Sequence, residues 1–276
     1  MSDAGKRLRE LLARPAMIVA PFVFDCLQAR LAEDTGFEAV YMTGFGTAAS
    51  RGFPDLGLLT MTEMIANVGA IAGAVEVPVV ADADTGYGNP VNVQRTVREY
   101  ERAGAAALHI EDQVFPKRCG FLAGKQVISM DEMVPKVRAA CDARRDTVII
   151  ARTDALAVSG WDDVVRRARA YRDAGADLIF VDGIRTAEDL HTYSERLSDL
   201  PLVYNGNLLP LDQLAKLGFK LTIHIGTLLR AFESARDAMR ELKRSGELRT
   251  GRGVFEEFTR LMRVPEYSAA EQKYKS

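Results

Sequence analysis

The sequence is poor in several features, and each scarcity excludes a class of protein. Three cysteines in 276 residues are too few and odd in number for a disulfide framework, and they fit a reducing compartment. No apolar run approaches the roughly 20 residues of a membrane span. Residues 1–14 are charged and lack the apolar core of a signal peptide. A formal net charge of −2 gives no field that would attract nucleic acid or an anionic membrane. We therefore expect a cytoplasmic protein.

Short apolar runs rich in β-branched residues recur along the chain and predict strands. A strand buried on both faces requires this near-continuous hydrophobicity. Neither a linker nor a low-complexity stretch separates the runs. They cover residues 17–24, 39–44, 77–84, 107–113, 147–154, 178–183, 202–207 and 221–226.

Segments with helical spacing lie between most of these runs. Residues 91–103 and 161–174 place apolar side chains on one side of a helix, and Gly104 and Gly175 follow them as C-terminal caps. Eight strand–helix units favour an α/β fold of the (β/α)8, or TIM, barrel type over an open doubly wound sheet. The segment beginning at Thr43 (T-G-F-G) contains only the first half of the dinucleotide-binding pattern.

The C-terminal tail is too long for a simple eighth helix. Its pattern is largely helical from about residue 231. We therefore expect one barrel domain over residues 1–276, with extra C-terminal helices that pack on a neighbouring subunit.

Polar residues concentrate where the predicted strands end, and barrel enzymes place their active sites at those ends. Carboxylates that follow an apolar strand are costly unless they are paired or bind a cation. Asp82, Asp84 and Glu111 are hard oxygen ligands without clustered cysteine or paired histidine, which favours Mg²⁺ or Mn²⁺ over Zn²⁺. The alternative is structural, with Asp84 capping a helix and salt bridges to Arg152. Other polar residues at strand ends are Tyr41, Thr43, His109, Asp182, Asn205 and His224.

The segment after the fourth predicted strand has the composition of a reactive loop. Cys119 follows Lys117 and Arg118, and positive surroundings favour a thiolate. Gly120 and Gly124 provide hinges for a lid that excludes water. The alternative is an ordinary surface loop with a free thiol.

Four motifs stand in a characteristic order: D-A-D-T-G-Y-G from Asp82, E-D-Q from Glu111, P-K-R-C-G around Cys119 and A-R-T-D around Arg152. Together they resemble the isocitrate lyase/phosphoenolpyruvate mutase superfamily over almost the whole chain. Within it, the chain is most similar to the branch of methylisocitrate lyase and 2,3-dimethylmalate lyase. The resemblance implies a homotetramer, a dimer of dimers that exchanges C-terminal helices.

The resemblance also implies roles for individual residues. Asp82 would bind Mg²⁺ directly, and Asp55, Asp84 and Glu111 would hold the ion through waters. The implied substrate is a small di- or tricarboxylate or keto acid. The turn of Thr43, Gly44 and Phe45 would bind one of its carboxylates, and Tyr41 and Arg152 would flank the acid. Lys117 and Cys119 would enter the site on the loop.

The implied reaction is cleavage of a C–C bond in a substituted malate-type 2-hydroxy acid, through an enolate or aci-carboxylate. Mg²⁺ and Arg152 would stabilise the enolate charge, and the Cys119 thiol would protonate one product. The mutase, phosphonopyruvate hydrolase and oxaloacetate decarboxylase branches generally lack this cysteine. Cys119 therefore favours a lyase.

The chain departs from the lyase pattern at several positions. Phe121 replaces a histidine, Leu208 replaces a glutamate, Asp182 stands where glutamate is frequent, and His224 begins the pair that replaces Tyr-Pro. These changes argue against isocitrate and methylisocitrate and predict an apolar pocket, with Asn205 and His224 as polar contacts. A 2-alkylmalate or 2,3-dialkylmalate would suit it. Two alternatives remain. The first is a different reaction, either decarboxylation or hydrolysis of an oxaloacetate-type acid or P–C bond chemistry on phosphonopyruvate. The second is a non-catalytic carboxylate-binding protein.

Overall fold

A computed structural model of the chain describes residues 3–120 and 122–275, so Phe121 lies outside the described residues. Within this part of the chain, eight parallel strands pair in sequence order, and β8 pairs with β1 to close a barrel. The strands are β1 (Ile18–Val23), β2 (Val40–Met42), β3 (Val79–Asp82), β4 (Ala105–Glu111), β5 (Val148–Thr153), β6 (Leu178–Val181), β7 (Leu202–Asn205) and β8 (Leu221–His224). The predicted (β/α)8 barrel is confirmed.

Helices surround the barrel in alternation with the strands. Positive φ angles of 102° at Gly104 and 109° at Gly175 end two of them, as the sequence predicted. The helices are α1 (Ala4–Ala13), α2 (Cys26–Asp34), α3 (Gly44–Ser50), α4 (Met61–Ala74), α5 (Pro90–Arg102), α6 (Met130–Ala143), α7 (Leu156–Ser159), α8 (Trp161–Asp173), α9 (Ala187–Arg196), α10 (Leu211–Lys216), α11 (Gly226–Ser245), α12 (Val254–Leu261) and α13 (Val264–Lys273).

Helix α1 closes the N-terminal end of the barrel. Its Leu8 is fully buried in the cluster that fills the barrel interior. Arg9 donates to the carbonyls of Asp146 (3.0 Å) and Thr147 (3.1 Å) and pairs with Asp177 (2.8 Å), close to the starts of β5 and β6. A site for small molecules is therefore expected at the opposite end, where the strands run into polar residues.

The C-terminal helix α12 is joined to α2 by polar contacts. Arg260 of α12 forms two hydrogen bonds with Asp34 of α2 (2.8 and 3.0 Å), and Arg30 donates to the carbonyl of Leu261 (3.2 Å). None of the described helices is both long and apolar enough to cross a membrane. Large apolar side chains nevertheless remain exposed on these helices, including Phe232, Met239, Phe255, Phe258 and Tyr267.

Candidate active site

A cavity of about 640 Å³ opens at the C-terminal ends of the strands. This volume is within the usual range for small-molecule sites, roughly 300–1,000 Å³. The structure brings most of the predicted site residues to it. Those that line the cavity are Tyr41, Thr43, Phe45, Asp55, Asp82, Cys119, Arg152, Asn205 and Leu208.

Asp82, the last residue of β3, lies at the floor of this cavity. One of its carboxylate oxygens accepts from the backbone N–H of Gly44 (3.1 Å) and the hydroxyl of Tyr41 (3.3 Å). The other accepts from the N–H of Asp84 (3.0 Å). Burial alone would raise the pKa of Asp82, but the neighbouring His109 and positive Lys117 and Arg152 hold it well below its ordinary value. Asp82 is therefore a carboxylate in the folded protein.

Lys117 reaches from the loop after β4 into a group of carboxylates. Its ammonium lies 2.6 Å from Asp55 and 2.9 Å from Asp84, and all three side chains are buried. Burial, together with the negative charges of Asp82 and Asp55, outweighs the effect of Lys117 and raises the pKa of Asp84 to about 6. The two ion pairs of Lys117 thus hold the loop against the mouth of the barrel.

Glu111, at the end of β4, is completely buried, and neither of its carboxylate oxygens has a hydrogen-bond partner among the described residues. The Arg152 guanidinium lies 3.2 Å away. Burial raises the pKa of Glu111 well above its usual value, although Arg152 opposes this. A buried carboxylate in this condition is costly unless a cation or a water network satisfies it.

Arg152 is the most highly connected cation of the site. It donates to both oxygens of Asp154 (2.9 and 3.0 Å), lies 3.3 Å from Asp182, and stacks over the Phe180 ring at 5.1 Å. Lys125 adds a second positive charge, 2.8 Å from Asp154. Burial would raise the pKa of Asp154, but Arg152 and Lys125 lower it to about 2. These contacts fix the guanidinium at the cavity wall.

The loop that follows β4 is folded over the mouth of the barrel. Gln113 accepts from the Arg118 N–H (2.9 Å) and donates to the Arg118 carbonyl (2.8 Å). The N–H of Cys119 donates to the Asp55 carbonyl (3.0 Å). Gly120 lies so close to Asp182 that an added Cβ would overlap that carboxylate. This arrangement brings the Cys119 thiol into the wall of the cavity that also contains Arg152.

His109, whose position the sequence left open, lies inside the site. Its Nε2 is 2.8 Å from the Tyr41 hydroxyl and 3.5 Å from Asp82. Burial lowers the pKa of His109 to about 4, although Asp82 opposes this, so the imidazole is neutral at neutral pH. Together, the contacts of His109 and Tyr41 hold the Asp82 carboxylate in position.

Thr43, Gly44 and His224 make contacts that the sequence did not indicate. Thr43 caps α3 by accepting from the Gly46 N–H (3.3 Å), and the Gly44 N–H is engaged by Asp82 (3.1 Å). His224 is not one of the described residues that line the cavity. Its Nδ1 accepts a hydrogen bond from the Gly226 N–H (3.2 Å). The roles assigned to all the predicted site residues, Phe121 included, remain predictions.

Asp154 and Lys125 belong to the site although the sequence indicated no role for them, and it identified Asp182 only as a polar residue at a strand end. Asp154 and Asp182 hold Arg152, and Lys125 pairs with Asp154 at 2.8 Å and Asp182 at 3.4 Å. Asp154 ends the A-R-T-D motif and could have been found from it. Lys125 has no comparable signal, because it is 29 residues from its partner Asp154 in sequence.

Comparison with known proteins agrees with this geometry. Residues 8–243 match the family model described as phosphoenolpyruvate phosphomutase. A 2,3-dimethylmalate lyase from Eubacterium barkeri is 43% identical over 289 residues, covering 99% of each chain. An oxaloacetate acetylhydrolase, solved with the inhibitor 3,3-difluorooxalacetate, has a TM-score of 0.93 at 37% identity, over 98% of this chain and 97% of that one. A phosphonopyruvate hydrolase, solved with oxalate and Mg²⁺, has a TM-score of 0.89 at 31% identity, over 99% of each chain.

These relatives cover nearly the full length of the chain and share its closed barrel. The match therefore includes every strand end that contributes to the cavity. This chain belongs to the phosphoenolpyruvate mutase/isocitrate lyase superfamily.

Proposed function

We propose that this protein is a Mg²⁺-dependent C–C lyase that cleaves a substituted malate-type 2-hydroxy acid through an enolate or aci-carboxylate. The observation that carries the proposal is that Cys119 and Arg152 line the same cavity as the carboxylates of Asp55 and Asp82. A proton donor, a fixed cation and an acidic cluster are what this cleavage requires. The similarity to 2,3-dimethylmalate lyase supports the same reaction class.

The residues present suit a magnesium ion. Asp55, Asp82, Asp84 and Glu111 offer oxygen donors alone, and the buried oxygens of Glu111 lack hydrogen-bond partners among the described residues. Within the described part of the chain, no three acidic, histidine or cysteine groups converge on one point. This spacing suits an ion held directly by Asp82 and through water by the others, because Mg²⁺ usually keeps several waters. When bound, Mg²⁺ would supply Lewis-acid stabilisation of negative charge.

The chain's own residues supply the remaining chemistry. The Arg152 guanidinium, fixed by Asp154 and Asp182, would bind the carboxylate or carbonyl oxygen on which charge develops. Tyr41 would orient the substrate beside Asp82. As the C–C bond breaks, the 2-hydroxyl would lose its proton to a carboxylate of the acidic cluster, Asp84 or Glu111, and become the carbonyl of the keto acid. The Cys119 thiol would donate its proton to the carbanionic carbon of the departing carboxylic acid. Lys117, bound to Asp55 and Asp84, would keep the loop closed and water excluded during this step.

The apolar side of the cavity supports an alkyl-substituted substrate. Leu208 stands where related lyases have a glutamate, and it lines the cavity. A second carboxylate would have to be desolvated against these side chains, whereas methyl groups would gain by burial. We therefore propose a 2-alkylmalate or 2,3-dialkylmalate as substrate. Other apolar lining residues are Phe45, Leu122, Ile184, Ile225 and Leu229.

A second candidate is hydrolysis of an oxaloacetate-type acid. The TM-score of 0.93 with oxaloacetate acetylhydrolase favours it. In that reaction a water molecule would be the nucleophile, and Arg152 would keep its role.

A turnover screen separates the two candidates. Purified protein with Mg²⁺ is incubated with 2-alkylmalates, 2,3-dimethylmalate, methylisocitrate, oxaloacetate and phosphonopyruvate, and products are identified by mass spectrometry. We expect cleavage of a branched malate and its loss on chelation with EDTA. Turnover of oxaloacetate or phosphonopyruvate alone would reject the lyase proposal, and metal-dependent binding without turnover would indicate a binding protein.

Mg²⁺ affinity should rise with pH, and the part of this rise that Asp84 controls should end above about pH 6. Burial raises the pKa of Asp84 to about 6, so below this pH the ion must displace a proton from that carboxyl. Each pH unit below 6 should then weaken binding by about tenfold. The Mg²⁺-induced rise in Tm, measured from pH 5 to pH 8, reports the affinity. An Asp84→Asn variant should bind more weakly and lose this part of the pH dependence, while the part due to Glu111, whose pKa burial also raises, should remain. A pH-independent wild type would contradict the prediction.

We also propose that α12 and α13 pack on a neighbouring subunit in a tetramer. Their exposed aromatic side chains support this, with Phe255 75% and Tyr267 69% exposed in the single chain. Phe255→Glu should weaken the assembly, because a charge would replace a buried ring, and sedimentation velocity should show smaller species. Glu256→Gln, on the same helix, is the matched control. A monomeric wild type would refute the proposal.

A further inference from the structure

A second cavity, of about 540 Å³, lies beside the active-site loop. None of the described residues that line it also lines the active-site cavity. The loop after β4 contributes to both, since Cys119 lines the first and Gln113 and Phe115 line the second. The other apolar lining residues of the second cavity are Leu58, Leu59, Met61 and Ile128.

Lys136 is the unusual residue of this second cavity. It lies on α6, lines the cavity and is 4% exposed, yet it makes no hydrogen bond or ion pair with any residue that the structure describes. The other buried lysines are paired: Lys117 with Asp55 and Asp84, and Lys125 with Asp154.

An unpaired ammonium in a largely apolar cavity favours an incoming anion. Burial lowers the pKa of Lys136, although Glu132, Glu111 and Asp112 oppose this, so the ammonium form is short of a counter-charge at close range. A ligand carboxylate would supply that charge together with hydrogen-bond acceptors.

The lining also limits the kind of anion. Lys136 is the single cation among the described lining residues, and the carboxylate of Glu132, which also lines the cavity, disfavours a second negative charge. Thr60, Thr85 and Gln113 add neutral polar groups to the lining, and residues such as Leu59, Met61 and Phe115 offer apolar surface, but none of these carries a second positive charge. A phosphate or dicarboxylate would remain underpaired here, whereas a monoanion with an apolar tail would be satisfied at both ends.

We propose that this second cavity binds a monocarboxylate with a short alkyl chain, with its carboxylate paired to Lys136 and its tail against Leu59 and Met61. The site is separate from the active site and does not depend on the proposed lyase reaction.

Chemical labelling of lysines tests the proposal on the wild-type protein. Reductive methylation is followed at each lysine by peptide mapping, with butyrate as the probe and butyramide as its neutral match. Because protection follows 1 + [L]/Kd, butyrate at about nine times its Kd should slow Lys136 methylation by about tenfold. Butyramide should have no effect, and exposed Lys216 should react equally throughout. Equal rates with both probes, or no protection at Lys136, would overturn the proposal.

A variant provides an independent test. Lys136→Met keeps the length of the side chain and removes its charge, and it should fold because no described partner loses an ion pair. Calorimetric titration should show saturable butyrate binding to wild type and none to this variant. Binding that persists in Lys136→Met would place butyrate elsewhere, in the active site for example, and would reject the assignment. If the variant failed to fold, the labelling result on wild type would still decide.

Discussion

Replacing Cys119 by serine should lower kcat/KM for a branched malate by about 10² to 10⁴-fold, the usual contribution of a general acid. A serine hydroxyl is a much weaker acid than a thiol, so it would hardly deliver the proton that the carbanionic product needs. Cys119 lines the cavity and is only partly buried, so the free energy of unfolding should change by less than about 1 kcal/mol. Steady-state kinetics and urea unfolding of the same preparation measure both quantities.

Cys141→Ser is the matched control for this experiment. Cys141 lies on α6, is partly buried like Cys119 and packs beside Gly175. It is not one of the described residues that line the cavity. Its replacement should leave turnover unchanged, and burial, which raises the pKa of its thiol, keeps it unreactive. If Cys119→Ser cleaved the malate at the wild-type rate, the thiol would not be the acid. Undiminished oxaloacetate hydrolysis by Cys119→Ser would instead support the hydrolase candidate.

The barrel could be predicted from sequence because its strands are buried on both faces. Seven of the eight apolar runs contain a strand, and β4 begins two residues before its run, at Ala105. The predicted helices agree with α5 and α8 within a residue at each end. The exact limits were less predictable. Strand β2 stops at Met42 because Thr43 already caps α3, and this local hydrogen bond overrides the apolar pattern. The role of α1 as a plug depends on burial of Leu8 inside the barrel, which its own sequence does not reveal.

The site was predictable where residues follow strands and less so where a loop folds back. Asp82 and Glu111 end their strands and Arg152 is the last but one residue of its strand, so barrel geometry alone brings them to one mouth. The ion pairs of Lys117 with Asp55 and of Lys125 with Asp154 join segments 62 and 29 residues apart. Such contacts depend on the path of the loop, and hydrophobic periodicity carries no information about that path.

Arg152→Met should affect both stability and turnover more than a substitution elsewhere in the cavity wall. The guanidinium is 7% exposed and offsets the charges of Glu111, Asp154 and Asp182, so its removal leaves buried carboxylates uncompensated. Breaking a buried pair in this way costs about 3–5 kcal/mol of unfolding free energy. Loss of the cation that faces the developing charge should lower kcat by a further 10² to 10³-fold, roughly the effect of removing one oxyanion donor.

Two further variants separate charge balance from catalysis. Arg152→Lys restores the positive charge but not the paired hydrogen bonds to Asp154, so it should recover most of the stability and little of the turnover. Arg167→Met removes another buried arginine, which pairs with Asp112 at 3.1 Å and Asp163 at 2.7 Å and does not line the cavity. Arg167→Met should lose a comparable amount of stability. It should nevertheless keep the wild-type kcat when it is assayed at temperatures well below its Tm. If Arg152→Lys regained full turnover with its stability, a point charge would suffice, and the proposed need for the oriented fork of a guanidinium would be rejected.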